Sequence, residues 1–351
     1  MTGRIVLMIF MVCAVAASAF SQSPTSTPTP QPNPETHRWI DIDTFSISTR
    51  YRFTENANGR TSSNQQQWQF MLHGRFKLNR NGRYSVVASL ATGNALTGGW
   101  NNTGWGTGDL QTNLFPKQLY FDAKPVRALE IQVGGLGVNN GENTEITGYD
   151  NDTYITGERV VVRVPKKLYF DEISATNAFL GDATHPSVFR RLKHLDRADY
   201  HQFLVRKQVN KRFSFSADYT FESGIDTLRQ AVRLKTPETR VVDSLLFENY
   251  ERIDPRAGYG FALTGDKKLT PKLTFTGGFV KISDVMFNSD RFPTGERLYL
   301  IATYKLTREL ILSPVIIHAV GPLSTTTLPR TRFEIIAGYN LLEMLHRLRL
   351  Y

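Results

Sequence analysis

The sequence predicts an all-β chain, an antiparallel barrel of about 16 strands that crosses a membrane, and three observations carry that expectation. Apolar residues recur with a period of two over runs of about ten residues. Short polar turns alternate with long connections rich in Gly, Asn, Asp and Thr. Beyond the first stretch of the chain, no apolar run reaches the ~18–20 residues of a membrane helix. Composition agrees. The 351 residues are 40% hydrophobic and 21% charged, too apolar for a disordered chain. A mean hydropathy of −0.30 excludes a bundle of membrane helices, whereas alternating strands keep the average low while presenting one apolar face.

Taken in order, residues 1–19 read as a cleavable signal peptide. Arg4 supplies the positive start, Ile5 to Ala16 the apolar stretch, and Ala17-Ser18-Ala19 the small-residue cleavage site. The plainer alternative is a short buried helix. Val12 before Cys13 is too large for a lipoprotein signal. Cys13 is the only cysteine, so the mature chain has no disulfides and must be held by sheet closure or core. Loss of Arg4 reduces the formal charge from +10 to +9. Residues 20–38 are Pro/Ser/Thr-rich and read as a flexible linker, leaving residues 39–351 for the barrel.

The strands follow. Phe45, Ile47, Thr49, Tyr51 and Phe53 alternate with Ser46, Ser48, Arg50 and Arg52. Trp68, Phe70, Leu72, Gly74 and Phe76 alternate with Gln69, Met71, His73 and Arg75; Phe213 to Phe221 and Leu298 to Leu306 repeat the pattern. Soluble sandwich strands average nearer five or six residues, so run length favours a bilayer. Seven short turns, at Asn79-Arg80-Asn81-Gly82, Pro125-Val126-Arg127-Ala128, Pro165-Lys166-Lys167, Asn210-Lys211-Arg212, Thr236-Pro237-Glu238, Pro271-Lys272 and Thr307-Arg308-Glu309, separate eight hairpins. That gives 16 strands, or 14 if the Thr236-Pro237 hairpin lies in an outer loop. Short periplasmic turns and long extracellular loops, such as 92–113 and 134–158, are the asymmetry of an outer-membrane barrel. Such a sheet must close, because hydrocarbon offers no partner to an open edge.

On these residues the chain resembles the Gram-negative outer-membrane porins and the barrels that export acidic polysaccharide. The most specific echo is Lys117-Gln118-Leu119-Tyr120-Phe121-Asp122-Ala123-Lys124-Pro125 followed by Leu129-Glu130-Ile131-Gln132-Val133-Gly134. One departure stands at the end. Arg347 and Arg349 share a strand face with Tyr351, and residues 341–350 read equally as an amphipathic helix.

No enzyme signature is present. His73 has no serine two positions away, His318 has no acidic neighbour, and Gly134-Gly135-Leu136-Gly137 opens no helical pattern and reads as a loop. Residues 181–201 gather His185, His194, His201, Asp182, Asp196 and Asp199, but Arg190, Arg191, Lys193 and Arg197 would repel a cation. The segment therefore reads as a solvated loop. Asp150-Asn151-Asp152 lacks the spaced carboxylates of a calcium loop. No cofactor is implied.

The chemistry lies in a basic ladder. Arg229, Arg233 and Lys235 share one strand face, with Leu228, Val232 and Leu234 opposite; Arg159 and Arg163 flank Val161 in the same way. An Arg facing lipid near the midplane costs roughly 2–4 kcal/mol, so these residues should face the lumen and attract anions. The plainer reading pairs them with Glu222, Asp218 and Asp243 in a wet interior. The expected function is an outer-membrane channel that passes small hydrophilic solutes by diffusion, anions among them where the ladder is not paired. Its partners are membrane lipid and solute, not nucleic acid, and a homo-oligomer fits the reading. The alternatives are a structural or adhesion barrel with a plugged lumen, an exporter of acidic polysaccharide, or a secreted soluble β-protein.

Overall fold

The computed structural model describes residues 38–94, 98–149, 153–163, 169–181, 186–236, 241–253, 258–283 and 291–348. The proposed signal peptide and all but the last residue of the linker lie outside them. The first strands are β1 (Ile40–Asn56), β2 (Thr61–Lys77), β3 (Tyr84–Thr92), β4 (Asn101–Gly106), β5 (Leu114–Val126) and β6 (Leu129–Gly137). Next come β7 (Tyr154–Val162), β8 (Glu172–Phe179), β9 (Tyr200–Gln208), β10 (Phe213–Glu222), β11 (Ile225–Lys235) and β12 (Ser244–Arg252). The last five are β13 (Gly258–Thr270), β14 (Leu273–Ile282), β15 (Gly295–Lys305), β16 (Leu310–Ala319) and β17 (Pro329–Asn340). The paired neighbours are all antiparallel, and β17 pairs with β1 from Asn340↔Ser46 to Pro329↔Asn56, which closes the sheet.

Seventeen segments make sixteen staves. β2 pairs with β3 through Met71–Lys77 and with β4 through Gln65–Trp68, so β4 prolongs the lane that β3 leaves at Thr92. Closure leaves no free edge along the wall, as a bilayer demands. The period-two pattern decides the faces. Ile47, Phe76, Phe121, Val160, Phe203, Phe247, Leu263, Leu298, Ile316 and Ile335 point outward and are exposed, whereas Arg50, Gln67, Thr176, Ser216 and Glu248 are buried inside. An apolar outer belt with a polar interior is the inverse of a soluble protein.

Five of the seven sequence-read turns fall together at one end of the barrel; those read at 165–167 and 236–238 lie wholly or mostly outside the described residues. At the other end the expected contrast is not uniform. Residues 138–153 and 180–199 are long connections, but β10 and β11 are joined only by Ser223 (φ 48°) and Gly224 (φ 89°). Two residues in the left-handed region make a tight hairpin whose twist matches that of the strands.

Two expectations are corrected. Gly134-Gly135-Leu136-Gly137 is not a loop but the end of β6, with Gly134↔Tyr120 and Gly135↔Leu119 in register. Glycine is used there for close approach: a Cβ on Gly134 would meet the Leu119 carbonyl, and one on Gly135 the Val188 side chain. The long connection is therefore shorter than 134–158, running from 138 to 153. The connection 92–113 likewise contains a strand, β4. At the chain's other end, the helical alternative prevails. Leu341–Arg347 form a helix, and Asn340 accepts a hydrogen bond from the Glu343 amide at 3.2 Å as its N-cap. A shorter helix, α1 (Val188–Arg191), lies between β8 and β9, so the C-terminal one is α2.

Candidate functional site: the lumen and its inserted loop

The inward faces of β10 and β11 are laid side by side by their register, Asp218↔Arg229 and Ser214↔Arg233. Arg229 is 2% exposed and its guanidinium donates to Asp218 Oδ1 at 2.9 Å. Two buried charges survive in such a place only as a pair with further hydrogen bonds, and Thr220 and Gln202 complete the set.

Across this wall lies the connection after β6. Residues 138–149 leave the strand and fold into the barrel, held by polar contacts at several points. The Gln202 amide donates to the Asn139 carbonyl at 2.8 Å, and the Glu142 amide donates to Ser216 Oγ at 2.8 Å. The Glu142 carboxylate accepts from Arg206 at 2.6 and 2.9 Å and from Arg233 at 3.0 Å. Burial opposes its ionisation, but the hydrogen bond from Arg233 and the charge and hydrogen bonds of Arg206 overrule it and hold this carboxyl below its ordinary value. Gly141 lets the loop lie against β10. Its φ is +63°, and a Cβ there would sit 2.7 Å from Ser216 Oγ.

Glu248 of β12 is fully buried and grips the next turn of the loop. It accepts from the Thr144 amide at 2.5 Å, the Thr144 hydroxyl at 2.8 Å and the Thr147 hydroxyl at 2.8 Å. Beyond it the anchoring turns apolar. Ile146 packs with Ala262, Val280, Ile282, Phe292, Tyr299, Val315 and Ile317, an apolar patch on the otherwise polar inner face. Tyr149 packs on Leu136 and Tyr200. Glu145 pairs with Arg291, itself beside β15. The loop thus spans from β9–β12 to β14–β16.

A second cationic sector lies on the far wall. Arg50 and Arg52 of β1 and Arg332 of β17 converge on buried Glu334, at 3.4, 2.8 and 2.7 Å. Trp100 stacks over the Arg50 guanidinium at 4.2 Å. Nearby Arg297, 1% exposed, donates to the backbone carbonyls of Pro293, Thr294 and Pro329 at 2.7–2.9 Å. A pocket of about 170 Å³ lies between Arg52, Arg291, Arg297 and Arg332, with the exposed Ser62 at its edge.

The five residues of the sequence-read ladder are placed as follows. Arg159, Arg229 and Arg233 face inward. Arg159 bonds Thr176, Gln132 and the Gly137 carbonyl rather than an acid. Arg163 sits at the turn end, paired with Glu130 and, at 3.0 Å, with Glu172. Lys235 is exposed at the same end. Of the acids expected as partners, Asp218 is one, while Asp243 is taken by Lys267 at 2.7 Å. The loop acid Glu142 and the wall acid Glu248 were not foreseen. Ile146 and Tyr149 are their sequence signal, two large apolar side chains inside a Gly/Asn/Thr-rich connection. Among the described residues no group of His, Asp and Glu is arranged to hold a metal. His194 and His201 instead stack on Phe179 and Phe221. Asp150-Asn151-Asp152 lies outside the described residues.

No protein-family model matches the chain, and no curated protein matches it in sequence. Solved structures do match in shape. Salmonella typhi OmpF, solved with daunomycin, aligns with a TM-score of 0.56 over 86% of this chain and 97% of its own, at 10% identity. Pseudomonas putida OprB aligns at 0.51 over 86% and 92%, also at 10% identity. A mutant of Rh. blastica porin gives 0.52 over 86% and 99%, again at 10%. The fold is that of a porin-like barrel. At this identity the likeness carries architecture only.

Proposed function

We propose that the chain is an outer-membrane channel that passes small hydrophilic solutes by diffusion and prefers anions. One observation carries the reading: a closed barrel with an apolar outer belt has a charged interior, and an anchored loop narrows it. Selectivity follows from the interior. Arg50, Arg52 and Arg332 gather around the buried carboxylate of Glu334, while Arg159 and Arg297 spend their donors on neutral groups. Fixed positive charge inside a low-dielectric wall raises the local concentration of anions. Transport needs no cofactor and no chemical step. The location follows from the porin architecture.

The depth to which residues 138–149 are packed favours one second reading, a structural barrel whose loop is a plug. Single-channel recording of the refolded protein in a planar bilayer separates the two. Stable, ohmic unitary steps at neutral pH support the channel. Silence from protein that is folded and inserted supports the plug.

A further inference from the structure

The turn end of the barrel carries a feature that conduction does not use. Arg80 and Arg83 lie on the β2–β3 turn, Lys211 and Arg212 on the β9–β10 turn, and Lys268 and Lys272 about the β13–β14 turn. All six are exposed, and none is in an ion pair among the described residues. The acids of this rim are engaged elsewhere. Asp41 is held by Lys77 at 2.7 Å, Asp171 by Lys207 at 3.1 Å, Asp243 by Lys267 at 2.7 Å and Glu309 by Arg347 at 3.0 Å. The rim's own acids are thus engaged by Lys77, Lys207, Lys267 and the C-terminal helix, and the exposed turn cations have no acid paired to them among the described residues.

The β2–β3 and β13–β14 turns are flanked by outward apolar side chains at the last position of the belt. Leu78 is 48% exposed, Tyr84 39% and Leu269 57%. The hydrocarbon edge therefore reaches the turns, and the six cations stand at headgroup depth. A Lys or Arg in that position extends its charge into the interface while its stem stays on the apolar wall. We infer that this rim is a binding surface for anionic phospholipid headgroups of the leaflet at the turn end. The charge complements the phosphate, and continuity with the lipid belt selects a bilayer lipid over a soluble polyanion. The inference rests on the barrel crossing a membrane, not on its conducting.

Spin-labelled lipid exchange on the full-length barrel, refolded into phosphatidylcholine vesicles, tests it. The motionally restricted population should select labelled phosphatidylglycerol over labelled phosphatidylcholine by about two- to threefold in relative association at low salt. That selectivity should fall toward unity in 1 M NaCl, where the Debye length is about 3 Å. The variant with Arg80, Arg83, Lys211, Arg212, Lys268 and Lys272 changed to Gln should lose it, whereas Arg60→Gln/Arg190→Gln/Arg197→Gln at the opposite end should retain it. If the sixfold variant does not refold, Lys211→Gln/Arg212→Gln alone should lower the selectivity by about a third. Equal association of the two lipids, or selectivity that survives both salt and the sixfold change, overturns the inference. So does sedimentation of the barrel with peptidoglycan in the absence of lipid selectivity, which assigns the rim to the cell wall.

Discussion

Individual charges on the inner wall have two kinds of surroundings, and substitutions should separate them. Arg229 is sealed against Asp218, so Arg229→Gln leaves a buried carboxylate without its partner. The expected loss is about 3–5 kcal/mol of barrel stability, read as a lower unfolding midpoint in urea, and Arg229→Gln/Asp218→Asn should recover most of it. Arg233 is one quarter exposed by side chain and Lys235 is exposed. Changing those two to Gln should leave folding intact and move the reversal potential toward cations. Glu142 adds a pH dependence. Its folded value lies below the ordinary 4.5, so its hold on Arg206 and Arg233 is complete above pH 4.5 and is lost only as pH falls through the lower folded value. Loop-associated current noise should therefore stay flat from pH 8 to 5 and rise only on acidification below the ordinary 4.5, and Glu142→Gln should show high noise at every pH. A transition above pH 5 would contradict the assignment. At this scale the sequence was legible in part. Alternation alone places Arg159, Arg229 and Arg233 on the inner face, because a one-residue slip would put each of them into lipid. Their partners were not legible, since Arg233↔Glu142 joins positions far apart in the chain through a loop that has no period.

Among the elements, strands and loops were unequally readable. β10 and β11 follow from the Phe213 to Phe221 alternation and the Leu228/Arg229 faces, and their turns from Asn210-Lys211-Arg212. The failures have physical causes. Gly134-Gly135-Leu136-Gly137 looks like a loop because glycine is poor in strands, but here it admits the β5 backbone and Val188 to contact. β4 was hidden because Asn101 to Gly106 is Gly- and Asn-rich and pairs only with β2. The inserted loop was hidden because its anchors are spread over eight strands far along the chain, β9 to β16. Ile146 is the apolar anchor, 6% exposed among seven side chains. Ile146→Ala should weaken docking by about 2–5 kcal/mol while the wall stays intact. The checks are greater open-channel noise and faster proteolysis within 138–149, with an unchanged heat-induced shift of the folded band on gels.

For the whole molecule, orientation and conduction are the two properties on which the account stands. The long-loop end should face outward. On intact cells trypsin should cut beside exposed Arg197 and spare Lys211, Arg212 and Lys272 until the cells are opened. The count of about sixteen staves was legible because turn counting depends only on composition at the strand ends, whereas the closing strand was not, because residues 341–350 read equally as strand or helix. Pore width was not, because it is set by how deeply one loop docks. The most direct test of the central claim is the zero-current potential of the refolded channel across a tenfold KCl gradient with 10 mM on the dilute side. The account predicts unitary conductance with a reversal potential on the chloride side of zero, decaying toward zero when both solutions are raised to 1 M and above. A reversal potential on the potassium side, or a folded and inserted barrel that passes no current, would contradict it.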